Sequence, residues 1–263
     1  MQYRSITCSS LVNKITKKDT LFIGNYTLDP YQNCEFGCLY CDSLTDKTVY
    51  IKFNATKLFE KEIKRLKKGI IIVGSVHDPY QKAEEIYKIT RDILKIIKKY
   101  NFTCHILTKS NLILRDLDLL SGIDNCMITV SITTLDKSVS NIFEKEVLPS
   151  EERLNVVKTL SEAEIKTGIA IMPVMPYIVE TELEDMVKSA CKHKAGYVVH
   201  KYLELKGDQK LSFLKIIEDS YPHLLIKYKE LYGDNPTPNS KYISELNAKI
   251  SKYCQKYEIS NKI

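Results

Sequence analysis

"LDPYQNCEFGCLYCDS" occupies residues 28–43. It sets Cys34, Cys38 and Cys41 within eight positions of a chain that has 8 cysteines among 263 residues, with no fourth cysteine beside them. The stretch follows directly on an apolar run, "LFIGNYTL" (21–28). Five similar runs lie downstream: "GIIIVGSV" (69–76), "FTCHILT" (102–108), "CMITVSIT" (126–133), "GIAIMPV" (168–174) and "GYVVHKYL" (196–203). They are short and rich in β-branched residues, as parallel strands buried on both faces are.

Helical patterns separate the runs. Residues 82–100 carry Ile86, Ile89, Ile93, Ile97 and Tyr100 at helical spacing, with lysines opposite. Residues 55–68 and 150–166 end in turns followed by Gly69 and Gly168, read as helix C-termini. Thr181 and Glu184 have the spacing of a capping box for a helix at 181–194. Six strand–helix units in order predict an α/β fold, a partial TIM-type (β/α)6 barrel with right-handed crossovers. The last stretch is rich in Tyr and Lys, with a loop "GDNPTPNS" (233–240) between helical patterns at 208–231 and 240–257. The expected organisation is an N-terminal lead (1–19), a core (20–206) and a helical C-terminal extension (207–263) packed on the barrel. No repeat, low-complexity tract or Gly/Ser linker is read.

Hydrophobic residues make up 44% and charged residues 27%, with a net charge of +6. That is ordinary for a soluble globular protein and mildly basic. Nucleic acid is admitted as a partner, although the lysines are spread along amphipathic helices. The first twenty residues hold no apolar core of a signal peptide, and no apolar run is long enough to span a bilayer. The expectation is a cytoplasmic protein without a membrane segment. Thiols stay reduced there, so clustered cysteines point to metal rather than a disulfide.

A cluster that follows the first strand of a βα barrel lies at the face where active sites sit. Structural zinc wants four closed ligands, and Asp42 is the nearby substitute for the fourth. A [4Fe–4S] cluster also takes four, so three cysteines leave one iron open. Both a zinc knuckle with a distant fourth ligand and an open catalytic cluster are compatible with these residues.

"CEFGCLYC" has Cys-x3-Cys-x2-Cys spacing with an aromatic, Tyr40, before the last cysteine. It resembles the motif of the radical S-adenosylmethionine (radical SAM) superfamily. "GSVHDPYQKAEEIYKITRDIL" and "HILTKSNLILRDLDLL" extend the resemblance to the spore photoproduct lyase-like branch, over about residues 20–205. The resemblance implies a [4Fe–4S] cluster on Cys34, Cys38 and Cys41, with S-adenosylmethionine on the open iron. It implies reductive cleavage to a 5′-deoxyadenosyl radical, hydrogen abstraction from a substrate, and an external one-electron donor, flavodoxin or ferredoxin. Cofactor contacts fall on Tyr40, Gly74, Ser75, Lys109, Ser131, Met172 and Pro173, and Ser75, His77 and Asp78 are the catalytic candidates. The resemblance leaves the substrate open: DNA-lesion repair follows from the branch, and modification of a peptide or a small metabolite is equally consistent with Ser75. The branch's hydrogen-donor cysteine aligns with Ser75, and a hydroxyl is a poor hydrogen-atom donor.

The alternative is a non-catalytic, metal-stapled nucleic-acid-binding protein. His200, Lys201 and Glu204 end the sixth strand near the substrate side. Cys8, Cys104, Cys126, Cys191 and Cys254 read as small hydrophobes, which leaves a single cluster. The 17 tyrosines, without any Trp, read as packing and surface residues rather than base-stacking platforms.

Overall fold

The apolar runs pair in chain order in the computed structural model, which describes residues 2–42 and 47–263. Ser43, the last residue of the quoted stretch, lies outside the described residues. Among the described residues six strands run parallel and adjacent: β3 (Tyr26–Leu28), β6 (Ile70–Val73), β7 (Thr103–Thr108), β8 (Met127–Ser131), β9 (Lys166–Val174) and β10 (Val198–Tyr202). A short β2 (Val12–Lys14) pairs antiparallel with the outer edge of β3. A second sheet joins β1 (Gln2–Ile6), β5 (Thr48–Lys52) and β4 (Tyr31–Gln32) in the order β1-β5-β4.

The helices are α1 (Ala55–Glu62), α2 (Ala83–Tyr87), α3 (Ile89–Lys99), α4 (Leu117–Leu120), α5 (Lys137–Phe143), α6 (Ser150–Glu162), α7 (Leu183–Lys192), α8 (Gly207–Ser220), α9 (Leu225–Tyr232) and α10 (Ser240–Lys256). Among the described residues the main sheet is open, with β10 and the antiparallel β2 at its edges, and no closed barrel is formed. Buried Ile71, Val73, Ile106, Ile128, Val130, Ile169, Ile171 and Val198 supply the strand side of the hydrophobic core. The alternate residues carry a polar interior. His105 Nδ1 sits 3.0 Å from the Phe22 carbonyl and Nε2 2.7 Å from Thr129 Oγ1, which is 2.7 Å from the Tyr197 hydroxyl. Every partner there is satisfied, as buried polar groups require. The outer edge of β10 is met by the chain end, where Val198 N donates to Ser260 O at 2.8 Å.

Several local expectations are corrected. The first run is a strand only over Tyr26–Leu28. The helical pattern at 82–100 breaks at Lys88, whose φ of 52° is left-handed. The buried carboxylate of Glu84 accepts the N–H groups of Thr90 (2.8 Å) and Arg91 (3.1 Å), and this restarts the helix. The 208–231 pattern breaks at Pro222, between α8 and α9. Gly168 is not a helix cap but lies within β9, where the Tyr197 ring packs so close that a Cβ would strike it (2.6 Å to Cγ). The Thr181–Glu184 capping box does not form. Glu182 precedes α7, and Glu184 turns instead to Lys256 and Tyr257.

Candidate functional site

The loop after β3 carries the three cysteines and turns through two positive-φ residues, Asn33 (64°) and Gly37 (54°). Bonds from distant elements hold it. Gln81 donates to Asn33 O (3.1 Å) and accepts from Glu35 N (3.0 Å). Glu35 accepts from Ala83 N (2.8 Å) and the Tyr3 hydroxyl (2.6 Å). Leu39 N donates to Phe143 O at 3.0 Å, and Gln209 from α8 donates to Tyr40 O at 2.6 Å. The "DPYQ…E…TR" stretch is thus a fastening: Gln81 grips the cysteine loop while Glu84 and Thr90 brace α3.

A cavity of about 390 Å3 opens above this loop, at the C-terminal ends of the strands. The twelve residues assigned from the sequence to cluster, cofactor or catalysis all line it: Cys34, Cys38, Tyr40, Cys41, Gly74, Ser75, His77, Asp78, Lys109, Ser131, Met172 and Pro173. Lys201 and Glu204 also reach it. His200 does not line it, because the alternation of β10 turns the ring to Asn247, at 2.9 Å.

Gly74 ends β6 at φ 83°, and a Cβ there would meet the Pro79 ring and the Leu107 carbonyl oxygen (2.8 Å). Beyond it Ser75 donates to Asp29 Oδ2 (2.8 Å), and Val76 N and His77 N donate to Asp29 Oδ1 (2.9 and 3.0 Å). Asp78 is committed in the same way to β7. Its oxygens accept Thr108 Oγ1 (2.8 Å), Lys109 N (2.7 Å) and Tyr80 N (2.8 Å). The tetrapeptide Asp-Pro-Tyr-Gln occurs twice, at 29–32 and 78–81. The copies come after β3 and β6, and each aspartate fixes the loop after the neighbouring strand of the main sheet, β6 for Asp29 and β7 for Asp78. This short repeat was not anticipated.

Burial, with the Asp78 charge adding to it, pushes the Cys34 thiol up to about 12. Burial pushes Cys38 up to about 11, against the pull of Lys109. Burial alone would lower the Lys109 ammonium, but Cys38 and Glu144 outweigh it and hold it raised. Glu144 and Arg153 were not picked out from the sequence. Both are fully buried and pair at 2.6 Å. Burial would raise the Glu144 carboxyl, yet Arg153 and Lys109 keep it below the ordinary range. Glu144 also accepts the Tyr40 hydroxyl and lies 4.0 Å from Lys109 Nζ, which sits 5.6 Å over the Tyr40 ring. The Arg153 guanidinium holds Ser131 O as well, at 2.7 Å.

The family model of the radical SAM superfamily matches residues 28–190. The chain belongs to the radical SAM superfamily. It is an enzyme of the radical SAM type, and the family works with a [4Fe–4S] cluster, S-adenosylmethionine and an external electron donor. An uncharacterized protein of Methanocaldococcus jannaschii is 29% identical over 238 residues, covering 86% of each chain. One of Mycobacterium tuberculosis is 23% identical over 278 aligned positions, covering 98% of this chain and 82% of that one. Among solved structures, a spore photoproduct lyase variant superposes with a TM-score of 0.74 at 15% identity, over 97% of this chain and 79% of that one. Another, bound to AdoMet and a dinucleoside spore photoproduct, gives 0.70 at 15%, over 92% and 76%. At these identities the structural likeness concerns the fold.

Three thiols, the donor type that the family's cluster takes, line one cavity from one loop, and Cys38 feels the charges of both Lys109 and Cys41. Among the described residues no group of three or more His, Cys, Asp or Glu side chains is arranged to hold a single metal ion. Cys104 and Cys126 lie apart from them, buried with their sulfurs 3.6 Å from each other. Cys254 is buried and Cys8 and Cys191 are partly so, each with its thiol raised by burial. Several tyrosines, Tyr31, Tyr80, Tyr197, Tyr228 and Tyr232, are core residues whose hydroxyls are bonded. Among the described residues, no helix is long and apolar enough to cross a membrane.

Proposed function

We propose that Cys34, Cys38 and Cys41 hold the [4Fe–4S] cluster and that S-adenosylmethionine lies between it and the ends of β6 to β9. The observation that carries this is one cavity shared by the three thiols and by Gly74, Ser75, Lys109, Ser131 and Met172, from successive strand ends. When bound, the pair of cofactors supplies reductive cleavage of the sulfonium and the hydrogen abstraction that follows. The chain's own residues bind and orient.

Lys109 offers a cation to the cofactor carboxylate. Ser75, its hydrogen engaged by Asp29, keeps its oxygen free to accept from the cofactor ammonium. Ser131 offers a hydroxyl to the ribose, and Met172 with Pro173 offers an apolar wall to the adenine. His77 can move a proton at the mouth. Asp78 acts by aligning the Lys109 backbone. The electron arrives from a flavodoxin- or ferredoxin-class donor.

Lesion repair through thiol quenching has no support at Ser75, whose hydroxyl is bonded to Asp29. At the cavity mouth Lys201 and Lys206 pair with Glu204 (2.6 Å each), and Lys206 also faces Asp42 (3.6 Å). That neutralisation gives a phosphate backbone little to hold, so a nucleic-acid substrate is not favoured by charge. The test is anaerobic reconstitution with iron and sulfide, addition of S-adenosylmethionine and dithionite, and assay for 5′-deoxyadenosine. Product from the wild type and none from Cys38→Ala is expected. Zinc bound without S-adenosylmethionine affinity would sink the proposal in favour of a metal-stapled binding protein.

A further inference from the structure

The groups beneath Cys38 form a buried charged cluster, of which the binding roles above use only Lys109. Glu144 is the centre of it. Its carboxylate takes Arg153 at 2.6 Å and the Tyr40 hydroxyl, and stands 4.0 Å from the Lys109 ammonium. Tyr40 lies between Cys38 and Cys41 in sequence, and its ring lies 5.6 Å below that ammonium. Arg153, itself fully buried, neutralises Glu144. The carboxylate therefore acts on Lys109 and Tyr40 as a fixed, desolvated point, not as a mobile counter-ion.

Charge and hydrogen bonding around the thiolates set the potential of an iron–sulfur centre. Resting on the cluster assignment above, we infer that Glu144 and Lys109 are an opposed pair of potential-setting residues for the centre held by Cys38. Lys109 favours the reduced centre, which carries one more negative charge. Glu144 disfavours it and shares the Tyr40 hydroxyl with the Cys38 sulfur, so that less of that donor is given to the thiolate. The centre gains one electron from the external donor; no other bond changes in this step.

The test is a potentiometric titration of the reconstituted protein, followed by the electron paramagnetic resonance signal of the reduced cluster, without S-adenosylmethionine. Glu144→Gln keeps the acceptor for Tyr40 and removes the charge, so the potential should rise. Lys109→Met should lower it. A change of about tenfold in the reduction equilibrium each way, about 59 mV for one electron, is expected. A merely structural anchor would change cluster content or stability but would not move the potential in opposite senses.

If Glu144→Gln does not assemble the cluster, Lys109→Met and Tyr40→Phe, which leave the Glu144–Arg153 pair intact, decide the matter. Tyr40→Phe should shift the potential while retaining full iron. Unshifted potentials in variants with full iron content would overturn the inference and leave the cluster assignment standing. A wild-type chain that assembles no cluster would overturn the assignment itself.

Discussion

The Ser75 hydroxyl donates to Asp29 across 46 residues of chain, at 2.8 Å, and the same carboxylate takes the N–H groups of Val76 and His77. One side chain at the end of β3 therefore shapes the whole loop at the end of β6. Asp29→Ala leaves these donors without their acceptor at the rim of the cavity. A loss of about 1–3 kcal/mol is expected, read by urea unfolding of the metal-free protein. S-adenosylmethionine binding to the reconstituted protein should weaken with it, because the loop would no longer present Ser75.

Gly74→Ala is expected to cost at least about 1–3 kcal/mol, as left-handed strain at non-glycine residues does. The added carbon would also meet the Pro79 ring and the Leu107 carbonyl. Thermal unfolding of the variant checks both consequences, and an unchanged midpoint would mean that the loop can relax away from Pro79.

Arg153→Met should be far more costly than a surface arginine change. Glu144 would lose its 2.6 Å partner and keep only the Tyr40 hydroxyl and Lys109 at 4.0 Å, and breaking a buried pair usually costs about 3–5 kcal/mol. Denaturation curves of Arg153→Met and of the double variant with Glu144→Leu distinguish the two causes. The double change should recover much of the loss, since it removes the stranded carboxylate.

Burial holds the His105 ring at about 4, below its ordinary value of 6.5. A depressed folded value stabilises the protein above the unfolded value, and that contribution is lost as pH falls from 6.5 towards 4. Its full size is about 3 kcal/mol. His105→Gln should flatten this acid limb of the stability profile. An unaltered slope between pH 6.5 and 4 would assign the acid sensitivity to other groups.

Cys34 and Cys38 hold their protons in the metal-free protein, because burial raises both thiols to about 12 and 11. Metal binding must release those protons. Iron affinity should therefore increase as pH rises from about 7 to about 9, and binding should acidify a weakly buffered solution. Iron titrations at several pH values measure both effects. Pairing of the folded chain with iron at equal affinity across that range would contradict it.

The six parallel strands of the main sheet were legible because they are mostly apolar and β-branched, a signal that each run carries by itself. The small sheet of β1, β5 and β4 was not, since Gln2–Ile6 is almost wholly exposed and β4 has two residues. The cysteines and strand-end residues could be placed by spacing and resemblance. Asp29 and His105 could not, because each acts through partners distant in sequence, and Glu144 and Arg153 could not, because a pair nine residues apart has no helical or strand spacing to mark it. One signal was available and overlooked: the second Asp-Pro-Tyr-Gln marks Asp29 and Asp78 as equivalent. At Lys88 a continuous apolar periodicity concealed a break, since the carboxylate that restarts the helix comes from the preceding turn.

The cysteine loop is tied to Gln81, Phe143, Glu144 and Gln209, all later in the chain than the thiols themselves. During synthesis residues 34–41 leave the ribosome long before these fastenings exist. The last of them, from α8, arrives only when most of the barrel has been made. The setting that buries the thiols is thus finished by a residue 169 positions beyond Tyr40, so its geometry depends on the C-terminal helices as well as on the strand ends.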